Sequence, residues 1–273
     1  MSRAFSIRMK KKKYPGIGIC IYCLKPYPPE QLTDEHIIPD ALKGTLIFKK
    51  SVCIPCKEVT GVQEREVLKL ELLIPRVLLE LKPPSIKHRL PKFSFTANIG
   101  DTNAVFDTDI PREDYPQIIS SVMIEPPGLL LGKNIDGISR MALQYINLHS
   151  SKNPPKQQQY ATRHSHLAGA IQHMVAKIAY SYAIAEKGLD YFDSTEIRKI
   201  LLDDSDELFN YVGSAPPEDS GKSQDLHWLS FFEEKGYFVC RVQLFGSIGM
   251  HPHYVVLGKR VTTSFDSQNA IKL

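Results

Sequence analysis

No stretch of this chain approaches the roughly 18 uninterrupted apolar residues that a membrane helix requires, so no membrane partner is expected. The basic N-terminus is not followed by an apolar run and does not read as a secretory signal. The protein is therefore read as cytoplasmic. There is no phosphate-cradling glycine loop: Gly246-x-x-Gly249 and Gly213 read as turns. Internal repeats and long low-complexity tracts are missing as well. Cysteine is scarce, at five residues, and neither sign of charge dominates, the net being +4.

The few cysteines are not scattered. Cys20 and Cys23 form one C-x-x-C pair and Cys53 and Cys56 form another. In a reducing compartment such spacing favours a metal over disulfides. Each pair offers two sulfurs to one ion, and two pairs complete a tetrahedral zinc shell with no position left for substrate. A structural Zn²⁺ is therefore expected, and in so small a module it would supply much of the folding energy. The alternative is four reduced thiols packed in a core. Neither pair sits in the βαβ setting of a redox motif. Cys240, in an apolar run, reads as a core residue.

Charge is also unevenly placed. Residues 1–61 hold 11 Lys+Arg against 5 Asp+Glu, and the rest of the chain is slightly acidic. The excess includes Arg3, Arg8 and the run Lys10, Lys11, Lys12, Lys13, which reads as a basic flexible arm over residues 1–15. A phosphate-binding surface needs such an excess, although a solvated tail would look the same.

Between the cysteine pairs, Thr33–Ile38 and Leu46–Lys50 read as strands, with Gly44 at the turn. From Glu58 to Leu73, Val62, Val67, Leu70 and Ile74 recur at helical spacing, and Pro75 bends or ends that helix. Phe93–Ile99 and Ala104–Phe106 suggest a hairpin. Leu167, Ala170, Ile171, Met174, Val175, Ile178 and Tyr182 mark the clearest helix, with Gly188 as its stop. A short helix fits Thr195–Leu202. Alternation in Tyr237–Phe245, between Leu226–Phe232 and His253–Leu257, predicts an antiparallel meander. The fold class is α+β, with a zinc-braced module over 16–75 and a larger α+β region over 76–273. His164, His166 and His173, like His251 and His253, read as core or surface residues because none has an acidic partner nearby.

The string Leu32-Thr33-Asp34-Glu35-His36-Ile37-Ile38-Pro39, framed by the two cysteine pairs and followed by Thr60 and Glu64, resembles the HNH endonuclease family. More narrowly, it looks like a bacterial subfamily with a long C-terminal region, whose members often look like defence or mobile-element nucleases. Residues 20–64 carry the likeness, with weaker echoes in Lys177-Ile178-Ala179 and Val242–Gly258. The resemblance implies a ββα-metal fold in which the four-cysteine zinc braces a hairpin against a helix. It implies cleavage of DNA phosphodiesters, with His36 as general base and Glu35 as ligand of one Mg²⁺ or Mn²⁺. Asp34 would orient its neighbours. Adjacent residues on a strand face opposite ways, so a local distortion would have to bring Glu35 and His36 to one site.

The chain departs from the family pattern after the last cysteine. Lys57 stands where Asn or His is usual, and a charged lysine cannot ligate a metal. Glu64, two turns on, is the candidate second acidic ligand, and Lys49, Lys50 and Lys57 could grip phosphates. A polar middle residue of the signature is not evident among 45–51. Two other readings follow: a degenerate nucleic-acid-binding protein, or a nuclease gated by a C-terminal sensor. A homodimer is compatible with either.

Overall fold

The computed structural model describes residues 11–81, 93–99, 102–108, 118–138, 140–148, 169–202, 205–219 and 221–261. Arg3, Arg8, Lys10, His164, His166 and Leu167 lie outside the described residues. The elements run β1 (Lys12–Tyr14), β2 (Leu32–His36), β3 (Leu46–Cys53), α1 (Ile54–Lys69), α2 (Leu73–Leu78), β4 (Phe93–Ile99) and β5 (Thr102–Thr108). They continue as β6 (Ile118–Ile124), α3 (Gly128–Leu131), β7 (Met141–Asn147), α4 (Ala170–Lys187), α5 (Thr195–Leu202) and α6 (Leu208–Tyr211). The last are β8 (Val212–Ser214), β9 (His227–Glu234), β10 (Tyr237–Leu244) and β11 (His253–Lys259). The architecture is α+β, as expected.

Helix α4 is the centre. Of its 18 residues 13 are buried, so it is apolar on nearly every side and must be covered by other elements. It packs against α1 and α5 and against the sheet ordered β8-β11-β10-β9. Gly188 stops it in the left-handed region, at φ 87°, as expected. The meander β9-β10-β11 is antiparallel throughout, and β8 extends it at the β11 edge. Gly213 is not a turn but the middle of β8. A Cβ there would lie 2.3 Å from the Glu125 carbonyl oxygen, so glycine lets the 125–127 segment approach the strand.

The N-terminal sheet has the order β1-β3-β2, with β1 parallel and β2 antiparallel to β3. Residues 12–14 are thus a strand, not part of an arm. Lys12 and Tyr14 both engage Glu186 near the end of α4, and that contact fixes the strand. Strand β3 runs three residues further than expected, to Cys53, and α1 begins directly after it. Pro55 sits in the first helical turn, where its missing N–H is not needed. The buried face of α1 is Cys56, Thr60, Gly61 and Val67, while Val62 and Leu70 are exposed. The expected apolar stripe therefore fails at Val62 and Leu70, while Val67 and Leu72 are buried and Leu68 packs against the core. The helix breaks at 70–72, and Pro75 lies in the first turn of α2 rather than at a helix end.

One hydrophobic cluster runs from Tyr14, Ile21 and Phe48 through α4 to Phe238 and Val255, so the cysteine-framed region and the meander share a core. Cys240 is fully buried in it. The meander also reaches the loop after β2: His227 Nε2 lies 2.8 Å from the Leu42 carbonyl oxygen. Arg76 donates to the carbonyls of Ala41 and Leu68 from the other side. Gly44 closes this loop, since a Cβ there would sit 1.9 Å from the Ile38 carbonyl oxygen.

Three buried histidines set an acid limit on the fold. Burial pushes His227 and His251 down from 6.5 to about 4, and holds His253 well below 6.5. The unfolded chain takes up these protons below about pH 6.5, whereas folded His227 and His251 do not until about pH 4 and folded His253 stays neutral well below 6.5. The contribution of these histidines should therefore be complete above pH 6.5 and fall steadily from there to about pH 4, by up to ~3 kcal/mol each for His227 and His251. Thermal melting against pH at fixed ionic strength checks this. His227→Gln, which keeps a donor for Leu42, should flatten the fall.

Candidate functional site

The site begins at the first cysteine pair. Residues 20–23 form a tight knuckle: the Cys20 amide donates to the Lys25 carbonyl, Leu24 donates back to Cys20, and Leu24 adopts a left-handed φ of 58°. The Ile21 amide donates to the Ser51 carbonyl of β3 at 2.9 Å, which sets the knuckle beside the second pair. Cys53 caps α1 and Cys56 lies in its first turn.

The four sulfurs lie within 4.8 Å of one another, with Cys23 and Cys53 at 3.9 Å. Tetrahedral zinc at its usual Zn–S distance sets sulfurs about 3.8 Å apart, so the set matches a zinc shell. None of the four is in a disulfide. Burial raises the thiols of Cys20 and Cys56, and neighbouring sulfurs add to this at Cys56. A cation is what would let four sulfurs this close together all carry negative charge. The cluster can hold a metal ion such as zinc.

Strand β2 carries Asp34, Glu35 and His36, and its pairing with β3 slips between Thr33 and Glu35. Even so, the slip does not bring Glu35 and His36 to one side. Glu35 is buried and His36 is exposed. The pairing explains the split. Tyr14, Phe48 and Glu35 form one row across β1, β3 and β2, and all three are buried. Lys13, Ile47 and His36 form the next row, whose members share the opposite face of the sheet. On that face Lys13 and His36 are both exposed, two strands apart.

Glu35 meets an unexpected partner. The Lys177 ammonium, from the middle of α4, lies 2.9 Å from Glu35 Oε1 and 2.7 Å from Glu64 Oε2. The side chains of Glu35 and Lys177 are only 2% and 8% exposed, so the contact is almost dry. Burial raises the Glu35 carboxyl, and Lys177 opposes it. Burial disfavours the Lys177 ammonium, but the two carboxylates outweigh it and leave the lysine firmly protonated. Tyr22, on the knuckle, is buried within electrostatic reach of both glutamates, and its hydroxyl lacks a hydrogen-bond partner among the described residues.

The other expected residues separate. Lys49 pairs with Asp34, whose Oδ1 also accepts the Lys50 amide at 3.0 Å. Partial burial would raise the Asp34 carboxyl, and these contacts hold it below its ordinary value instead. Asp34 thus braces the β2–β3 pair. Lys12 is committed to Glu186 at 2.7 Å. Lys11, Lys50 and Lys57 are exposed, and Lys57 lies close enough to Glu35 to favour its charged form. His173 is half-buried, and His251 and His253 pack at a tilt in the core beside Gln144. Lys177 escaped sequence reasoning as a site residue. The available signal was a lysine inside an otherwise buried helical stripe, which demands a counter-ion.

The sequence model of the HNH endonuclease family matches residues 20–70. No curated protein and no solved structure matched the chain. The chain thus carries an N-terminal HNH-type region with a cysteine cluster, and both features point to a nuclease. Among the described residues no helix is long and apolar enough to cross a membrane.

If the cluster holds zinc, protein purified without chelators should carry about one zinc per chain by elemental analysis. Cys20→Ser and Cys53→Ser should both lose it. Structural zinc sites contribute on the order of 10 kcal/mol, so these variants should also expose the N-terminal region to limited proteolysis.

Proposed function

We propose that the protein is an HNH-type endonuclease that hydrolyses DNA phosphodiester bonds, with zinc on Cys20, Cys23, Cys53 and Cys56 as a structural brace. The observation that carries this reading is the exposed His36, which lies inside the region that matches the family and is aligned across the sheet with the exposed Lys13. An imidazole open to solvent can take the proton from an attacking water. The water oxygen bonds to phosphorus as the bond to the leaving oxygen breaks. The exposed Lys11, Lys13, Lys50 and Lys57 supply positive charge for a polyanion, while Lys12 is held by Glu186. Lys49 is turned toward Asp34 and contributes less.

A catalytic Mg²⁺ or Mn²⁺ on Glu35 and Glu64 does not fit this arrangement. Such an ion wants near-octahedral oxygen ligands at about 2.1 Å. Here both carboxylates already share an ammonium at 2.9 and 2.7 Å. The reading therefore rests on His36 and the lysines.

A second reading has specific support. Lys177 between the carboxylates and Lys57 after the last cysteine are both what a binding-only descendant of a nuclease would show. Such a protein would bind DNA in a salt-sensitive way without cutting it.

Nicking of supercoiled plasmid by wild type and His36→Ala, with Mg²⁺, Mn²⁺ or EDTA, separates the two. The nuclease reading expects cutting by wild type in at least one condition, and a loss of about 100-fold or more in His36→Ala. Equal DNA binding by both proteins with no cutting in any condition would sink it in favour of the binding-only reading.

A further inference from the structure

Glu35 and Glu64 come from β2 and α1, and Lys177 comes from α4, 113 residues beyond Glu64. The two carboxylates belong to the HNH-type region and the ammonium to the C-terminal region. Each partner requires the other. A carboxylate as buried as Glu35 is strongly disfavoured unless paired, and so is the ammonium. With Lys177 in place, two negative charges face one fixed positive charge, and Lys57 adds a second nearby.

A divalent cation would have to enter the same space. To reach both carboxylates it would approach the Lys177 nitrogen to within a few ångströms. Two cations at that separation in a nearly dry setting repel strongly. The lysine cannot swing out to solvent without leaving the packed α1–α4 interface, where its stem is buried.

We propose that Lys177 is the resident cation of the HNH-type site: its ammonium fills the Glu35–Glu64 pair and keeps divalent metal out of it while α4 is docked. The proposal deepens the nuclease reading and rests on it only in treating Glu35 and Glu64 as the site's acidic pair. The consequence is a contact by which the C-terminal region holds the acidic pair closed. Helix α4 is then an inhibitory element for any metal-dependent chemistry at that pair. Metal binding and the undocking of Lys177 become mutually dependent, so whatever loosens α4 raises metal affinity, and metal in turn favours the loosened state.

The test is Mn²⁺ titration of the zinc-loaded, full-length protein, with free Mn²⁺ followed by its electron paramagnetic resonance signal. Wild type and Glu35→Gln should titrate alike, because the glutamate holds lysine and not metal. Lys177→Ser should gain one Mn²⁺ site at least tenfold tighter than any in wild type, and Lys177→Ser/Glu64→Gln should lose it again. Tight Mn²⁺ binding by wild type that Glu35→Gln abolishes would overturn the proposal. So would a folded Lys177→Ser that gains no site. Should Lys177→Ser fail to fold by circular dichroism, Lys177→Gln, closer in volume and still a donor, replaces it. If neither variant folds, the comparison of wild type with Glu35→Gln decides. Plasmid cleavage is scored separately. An inactive wild type with these Mn²⁺ results would count against the nuclease reading and leave the lysine assignment standing.

Discussion

A helix that is apolar on nearly all sides can exist in water only if other elements enclose it, and α4 imposes that demand on this whole chain. The meander covers one side, α1 and α5 another. The polar contacts that α4 makes are therefore made in the interior, where they are specific. Lys177 reaches the carboxylates of β2 and α1. The Tyr180 hydroxyl donates to the Ile21 carbonyl, in the knuckle between Cys20 and Cys23, at 2.5 Å. Glu186 takes Lys12 and Tyr14 of β1. One helix thus fixes the acidic pair, the cysteine knuckle and the first strand.

These contacts are not equal in weight. The pair of Lys12 with Glu186 is partly solvated, and such pairs contribute roughly 0–1 kcal/mol. The Lys177 contact is of another kind. Replacing the whole charged set with packed apolar groups could be neutral, but removing one member leaves a buried charge uncompensated, at about 3–5 kcal/mol. Its effect is therefore to fix which surfaces dock more than to add stability. The cysteine cluster works in the same direction, since it ties the knuckle to the junction of β3 and α1 and so sets where Glu64 stands along its helix.

Much of this was legible in the sequence, and the failures share a cause. The cysteine pairs, the Glu35-His36 string, the span of α5, the stop at Gly188 and the meander all depend on local signals: spacing, period and a single glycine. Strand β1 was unreadable because its lysines look like a tail, and only the pairing with β3 and the distant Glu186 makes them a strand. The buried face of α1 was misassigned because Thr60 and Gly61 face inward while Val62 and Leu70 face out, a choice made by the packing of α4 and not by hydropathy. The partner of Glu35 lay beyond reach for the same reason. The strand's own alternation did place Glu35 and His36 on opposite faces, and the structure keeps them apart: the slip in β2 was not enough to reunite them.

The chain is made from its N-terminus, and that order bears on the distant pairing of Glu64 with Lys177. A ribosome-bound chain extended as far as Leu81 already contains all four clustered cysteines, Glu35, His36 and α1, and could fold around a metal. It does not yet contain the ammonium. Until α4 has emerged, the two carboxylates lack the Lys177 ammonium and the knuckle lacks its Tyr180 support. The cation that the acidic pair holds in the folded protein is thus one that only the emergence of α4 can deliver.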